Sequence, residues 1–302
     1  MRKMRQLWPE NNNGWMLGLK NWTGLSSIWE QQMTGNHITL QSASDVEDFF
    51  MPKNLSPSEL QLLTLWMMVI DAGNLQQAKT LFEMRKTEYS EALKWEILWH
   101  LVNRCKIEFL RFCVEDCCFP ANLANSDGSS ILHLAAGLGW LEGVYYLVEE
   151  CHLDPKAQDS SERTPLDCAI YEGDLPTVRY LIETCHCNPA GNDGSDALIT
   201  ASYAHLADMD IMEYLVEICH LDVNARTESG YTALFYAANS GQEHKVQYLC
   251  EHGANVNIKN NKGVSMLRVL YERYDELDAN IGDGVTHEIL YYLRSQGALD
   301  AP

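Results

Sequence analysis

Residues 228–259 read ESGYTALFYAANSGQEHKVQYLCEHGANVNIK, and this stretch decides the fold. Gly230 marks a turn, and the apolar face of a helix follows through Leu234, Ala237 and Ala238. The paired alanines are small enough for a neighbouring helix to approach closely. Gly241 then closes the helix, because a left-handed backbone is cheap only for glycine. A second apolar helix passes through Leu249 and stops before Gly253-Ala254-Asn255-Val256-Asn257.

Working outward, the same unit reappears in residues 127–158, DGSSILHLAAGLGWLEGVYYLVEECHLDPKAQ, and in 161–192, SERTPLDCAIYEGDLPTVRYLIETCHCNPAGN. Thr164-Pro165 opens a helix, with threonine capping free backbone N–H groups and proline needing no donor at the first helical position. Residues 193–226 form a less regular copy. The first-helix leucine serves as a ruler, falling at Leu132, Leu166, Leu198, Leu234 and Leu267, in steps of 34, 32, 36 and 33 residues. Leu98 and Trp66 continue it backwards. A second leucine follows 15 residues later at Leu81, Leu147, Leu181 and Leu249. One such helix pair cannot bury its apolar face alone; stacked neighbours can.

Thr164-Pro165-Leu166, Leu132-His133-Leu134-Ala135-Ala136 and Gly253-Ala254-Asn255-Val256-Asn257 together resemble the ankyrin repeat, whose consensus carries these motifs in this order. The likeness is clear over residues 127–260 and weaker over 58–300. It implies an all-α ankyrin-repeat solenoid of helix-turn-helix units with short β-hairpin loops, about five clear and two degenerate. On this reading residues 1–57 are an N-terminal cap or extension, 58–125 degenerate helical repeats, and 126–302 ankyrin repeats with an insertion in the last.

Charge narrows the partners. The chain of 302 residues carries −20. Residues 1–57 hold five basic and five acidic residues, so the rest holds 22−5 = 17 basic and 42−5 = 37 acidic and carries the whole excess. Phosphate backbones need Lys and Arg, so nucleic acid is not expected as the partner; a basic protein patch is. Met1-Arg2-Lys3-Met4-Arg5-Gln6-Leu7-Trp8-Pro9 lacks the apolar core of a signal peptide, and the apolar run 60–70 is too short to span a bilayer. Ten cysteines in such a chain are expected as reduced thiols in a cytoplasm, or in a host cytosol were the chain a secreted effector.

The chemistry-bearing residues yield no catalytic, cofactor or metal site. Cys151-His152, Cys185-His186 and Cys219-His220 recur every 34 residues. Zinc gathers its sulfurs within about 4 Å of one another, whereas equivalent residues of stacked helices stand about 8–10 Å apart. These pairs are instead read as a substituted helix end where Gly253 stands in the next unit. Cys113 aligns with Leu147 and is expected in the core. Asp278-Ala279-Asn280-Ile281-Gly282-Asp283 has the wrong residues at two positions of a calcium loop and reads as a surface loop. Trp8, Trp15, Trp22 and Trp29 are read as an irregular cap packed on the first repeat, or else as an exposed aromatic binding segment, with a short helix starting at the capping box Ser44-Asp45-Val46-Glu47.

The resemblance implies a protein-interaction role, through hairpin tips and the exposed side of the first helix, which form a concave face. Carried over by position, the tips are Ser129, Arg163 and Tyr231, and the first-helix positions are Leu138, Tyr171, Glu172, Asn239 and Ser240. Two extra residues between Leu198 and Leu215 are expected to bulge the helix at Tyr203, Ala204 and His205 and reshape this face. Asn224 and Asn257 occupy the turn position that is hydroxylated in some family members. An adaptor or scaffold is the leading expectation. A bacterial effector engaging host proteins, and an enzyme with a pocket where the N-terminal segment meets Trp66, Trp95 and Trp99, are the alternatives.

Overall fold

The structure is a computed structural model that describes residues 55–191, 197–207, 209–277 and 284–299, with side chains left out at 272–277 and 284–287. The tryptophans of the N-terminal segment, its capping box and the loop at 278–283 lie outside the described residues. The chain divides into two compact units, one of residues 1–101 and 108–119 and the other of 102–107 and 120–302.

In the smaller unit, α1 (Pro57–Ala72) begins with the capping box of Ser56 and Glu59. α2 (Leu75–Met84) and α3 (Glu91–Asn103) follow, then α4 (Ile107–Arg111). Trp66, standing where the other repeats have the ruler leucine, is fully buried and donates its indole N–H to the Tyr89 hydroxyl at 2.9 Å. Tyr89 meets the Trp66 ring edge-on at 6.3 Å and joins it to a cluster in which Phe82, Tyr89, Phe112 and Phe119 pack edge-on or tilted against one another at 5.3–6.2 Å. Aromatic packing therefore replaces the small-residue register of the clear repeats, which is why this region reads as degenerate.

The larger unit stacks helix pairs. First helices are α5 (Ile131–Gly137), α7 (Pro165–Glu172), α9 (Ala197–Tyr203), α11 (Ala233–Asn239) and α13 (Met266–Leu277). Second helices are α6 (Leu141–Tyr145), α8 (Leu175–Arg179), α10 (Met209–Glu213), α12 (Glu243–Glu251) and α14 (Gly284–Ser295). Each first helix packs on the next, through alanines 135, 169, 201 and 237, all of zero exposure. The ruler leucines 132, 166, 198, 234 and 267 are all buried. Single antiparallel bridges, Ala124–Ser130, Arg226–Thr232 and Lys259–Ser265, close the hairpins between units.

The second helices hold a feature that the sequence shows only as a period. α4, α6, α8 and α10 each widen into one π-type turn, at Phe112–Asp116, Tyr146–Glu150, Tyr180–Thr184 and Tyr214–Ile218. Cys117, Cys151, Cys185 and Cys219 each donate N–H to the carbonyl five residues back, at 2.9–3.2 Å. The next residue, Cys118, His152, His186 or His220, is left-handed with φ between 54° and 56°. α12 has one residue fewer before its end, stays α-helical, and puts Gly253 there at φ 86°. One inserted residue per unit thus widens the helix end, as π-turns generally do. The Cys-His pairs are the substituted turn, and no cluster of three metal-ligating side chains exists among the described residues.

The expected bulge in α9 is corrected by the structure. The helix ends regularly at Tyr203, and the extra residues sit in the connection that follows. The buried Lys245 caps this end, donating Nζ to the carbonyls of Ala201 at 2.7 Å and Ala204 at 2.5 Å. A cation there suits the negative end of the helix dipole.

Candidate functional site

Three of the hairpins are built by short polar side chains seven residues before the ruler leucine, at Leu132, Leu166 and Leu267. Asn125 Oδ1 accepts from the N–H groups of Asp127 and Ser129, Asp159 Oδ1 from Ser161 and Arg163, and Asn260 Oδ1 from Lys262 and Val264, all at 2.8–3.0 Å. Such side chains mimic a backbone turn. At Gly230, φ is 82° and a Cβ would stand 2.5 Å from Asn261 Oδ1, so only glycine fits the tip.

His133 ties two units together. Its Nδ1 accepts from the Ser130 N–H at 3.3 Å, so Nε2 carries the proton and donates to the Arg163 carbonyl at 3.1 Å. Burial holds its pKa below the ordinary histidine value. In the next unit Asp167 takes the position, accepting from Thr164 N–H and hydroxyl at 2.8 and 2.7 Å.

The predicted tip residues have different surroundings. Ser129 is half-buried, its N–H and carbonyl used within the hairpin. Arg163 keeps 52% of its side chain exposed, yet its guanidinium pairs with Asp159 at 2.7 Å, whose side chain is 1% exposed. Burial raises the Asp159 pKa, but hydrogen bonds from Arg163 and Ser161 outweigh it and the net shift is down. Tyr231 stacks on Phe235 at 4.0 Å and 18°, and its hydroxyl accepts from Asn260 Nδ2 at 2.9 Å.

Three of the predicted residues belong to one row. Tyr171 meets Tyr203 at 6.1 Å, Tyr203 meets Tyr236 at 6.0 Å, and Tyr236 meets Tyr231 at 6.4 Å. The row crosses three units diagonally, from the C-terminal end of α7 to a hairpin tip. Tyr171, Tyr203 and Tyr236 are half-buried. Arg163 is near enough to Tyr203 for its charge to be felt there. Glu172, Asn239, Ser240 and Leu138 are half-buried at the ends of first helices. Ser129 and Leu138 lie one unit before Tyr171, outside the row.

Tyr236 escaped sequence reading because it stands one helical turn before the position of Tyr171 and Tyr203. An i, i+3 search along the same helix face would have found it. Asn224 and Asn257 act as clamps. Asn224 donates to Gly253 O at 3.1 Å and accepts from Asn255 N–H at 2.7 Å; Asn257 donates to Gly297 O at 3.0 Å and accepts from Leu299 N–H at 2.8 Å.

Three of the buried or half-buried thiols are unlike nucleophiles. None of the ten cysteines is in a disulfide, and burial pushes Cys168 and Cys187 up to about 12 and Cys250 to about 11. A nucleophilic cysteine needs the opposite shift. Among the described residues no helix is long and apolar enough to cross a membrane.

Comparison with known proteins agrees with this architecture. A family model described as ankyrin repeats (3 copies) matches residues 65–191 and 185–260. No curated protein matches the chain significantly. Among solved structures, the ankyrin repeat domain of Bcl-3, a member of the IkappaB protein family, aligns at a TM-score of 0.52 and 22% identity, covering 67% of this chain and 92% of that one. A chain from the complex of a predatory endopeptidase of Bdellovibrio bacteriovorus with an immunity protein aligns at 0.50 and 20% identity, covering 65% and 96%.

Proposed function

The chain belongs to the ankyrin-repeat family, and on that premise we propose that it is a protein-binding adaptor or scaffold whose partner docks on the first-helix face. The observation that carries this reading is the continuous row Tyr171–Tyr203–Tyr236–Tyr231. Tyrosine is a frequent interface anchor, because it buries apolar area and keeps a polar tip at low entropic cost. Arg163, held by Asp159 and near Tyr203, offers the rest of its guanidinium as a pre-organised donor fork. The net charge of −20 favours a partner with a basic patch. One of the aligned structures is itself a protein complex, the use proposed for this chain.

The test is capture of partners by the whole chain and by the double variant Tyr171→Ser/Tyr203→Ser, with mass spectrometry. A partner bound by the parent and lost from the variant, at unchanged helical content, is the expected result. Equal capture by both would place binding elsewhere. The variant leaves Arg163 alone, since its removal strands a buried carboxylate.

A further inference from the structure

The second-helix face of the larger unit carries a contact that recurs at the repeat period. Tyr180 donates its hydroxyl to Glu149 at 2.8 Å, Tyr214 to Glu183 at 3.1 Å, and Tyr248 to Glu217 at 3.5 Å. Every such phenol sits against a carboxylate of the preceding unit. Two of these notches already hold a flat nitrogen group from the chain itself. Arg179 donates Nε to Glu183 at 3.0 Å while its Cζ lies 5.4 Å from the centre of the Tyr214 ring. His252 lies 4.0 Å from the Tyr248 ring centre, with Nε2 3.6 Å from Glu217. Twice on this face, then, a planar nitrogen group of the chain lies on a phenol with a carboxylate at its edge.

The series ends at Tyr292, which feels the charge of Glu251. Here the surface opens into a groove of about 380 Å³ between α12 and α14, lined by Glu243, Glu288, Tyr291, Tyr292 and Ser295. These five residues include two carboxylates and two phenols but no basic side chain. Tyr291 is 78% exposed. The neighbouring cations are engaged elsewhere: Arg294 lies 5.1 Å from the Tyr271 ring, and Lys245 is buried against Ala201 and Ala204.

We propose that this groove receives an arginine side chain of a protein partner, its guanidinium lying on Tyr291 and Tyr292 and paired with Glu243 and Glu288. A flat fork of donors that also stacks on aromatic rings suits this arrangement better than the compact ammonium of lysine. The groove lies on the second-helix face, so it is independent of the tyrosine row on the first helices.

The whole chain, labelled with carbon-13 on its tyrosine rings, would be titrated by nuclear magnetic resonance with N-acetyl-arginine methylamide. The lysine compound and the neutral citrulline compound serve as controls. Saturable shifts are expected at Tyr291 and Tyr292, stronger for arginine than lysine and absent for citrulline. The variant Glu243→Gln/Glu288→Gln should raise the arginine Kd by about five-fold. Tyr291→Ala, at a highly exposed position where refolding is not at issue, should also weaken binding. Shifts spread over all tyrosines, an equal response to lysine, or an affinity untouched by either variant would overturn the proposal. None of these outcomes bears on binding at Tyr171 and Tyr203.

Discussion

Asp159 is the residue on which the most local structure depends. One nearly buried carboxylate terminates two backbone N–H groups and pairs with Arg163. Deleting one partner of such a set costs far more than the pair contributes, because a buried group is left unsatisfied. Asp159→Ala is expected to lower stability by about 2–4 kcal/mol, and Arg163→Ala by less, since the backbone donors remain; denaturant unfolding would check both. His133 adds a pH dependence of known sign. Its folded pKa is depressed, chiefly by burial, so its contribution is present above the ordinary value of 6.5 and is lost as pH falls below it, through the folded value. Thermal midpoints should therefore drop on acidification through this window more for the parent than for His133→Gln, which cannot titrate. Parallel curves would assign the loss to other groups.

At the scale of the element, the helix ends separate what the sequence could say from what it could not. The glycines at 139, 173 and 241 declare the ends of the first helices, and all three have φ between 64° and 88°. The 34-residue step of the Cys-His pairs was legible too, but the π-turn that absorbs the extra residue was not. The alignment of these pairs with the Gly253 helix end hinted at a left-handed histidine, but not at the wider turn that precedes it. Non-glycine residues in this conformation cost roughly 1–2 kcal/mol. Replacing His152, His186 and His220 by glycine should thus stabilise the larger unit, by up to about 1 kcal/mol per site after the added unfolded-state entropy of glycine. Thermal melts of single and triple variants would show it, and no gain would mean that the π-turn relieves the strain. Lys245 was equally illegible: a charged residue in a helix reads as surface, yet here it is 5% exposed. Lys245→Met should keep the volume but strip two carbonyls of their donor. A loss of about 2–4 kcal/mol is expected by chemical denaturation. The tyrosine row and the Tyr–Glu notches joined residues about one repeat apart, which no window along the chain brings together.

The whole molecule is governed by its charge of −20. Like charges repel within a folded body, and salt screens them over about 10 Å at moderate ionic strength. The local ion pairs act in the opposite sense. Arg85–Glu88, Arg111–Glu115 and Arg179–Glu183 are solvent-exposed on both sides, and pairs of that kind contribute at most about 1 kcal/mol each. With 42 acidic residues against 22 basic, at least 42−22 = 20 carboxylates have no basic residue to pair with, so repulsion should outweigh these pairs. Raising salt from low to physiological levels is then expected to raise the thermal midpoint while weakening capture of a basic partner. Opposite trends in stability and affinity would trace both to the same charge. A midpoint that fell with salt would instead give the decisive role to local pairs such as Arg163–Asp159, and affinity unmoved by salt would leave the aromatic row, rather than the acidic surface, as the source of recognition.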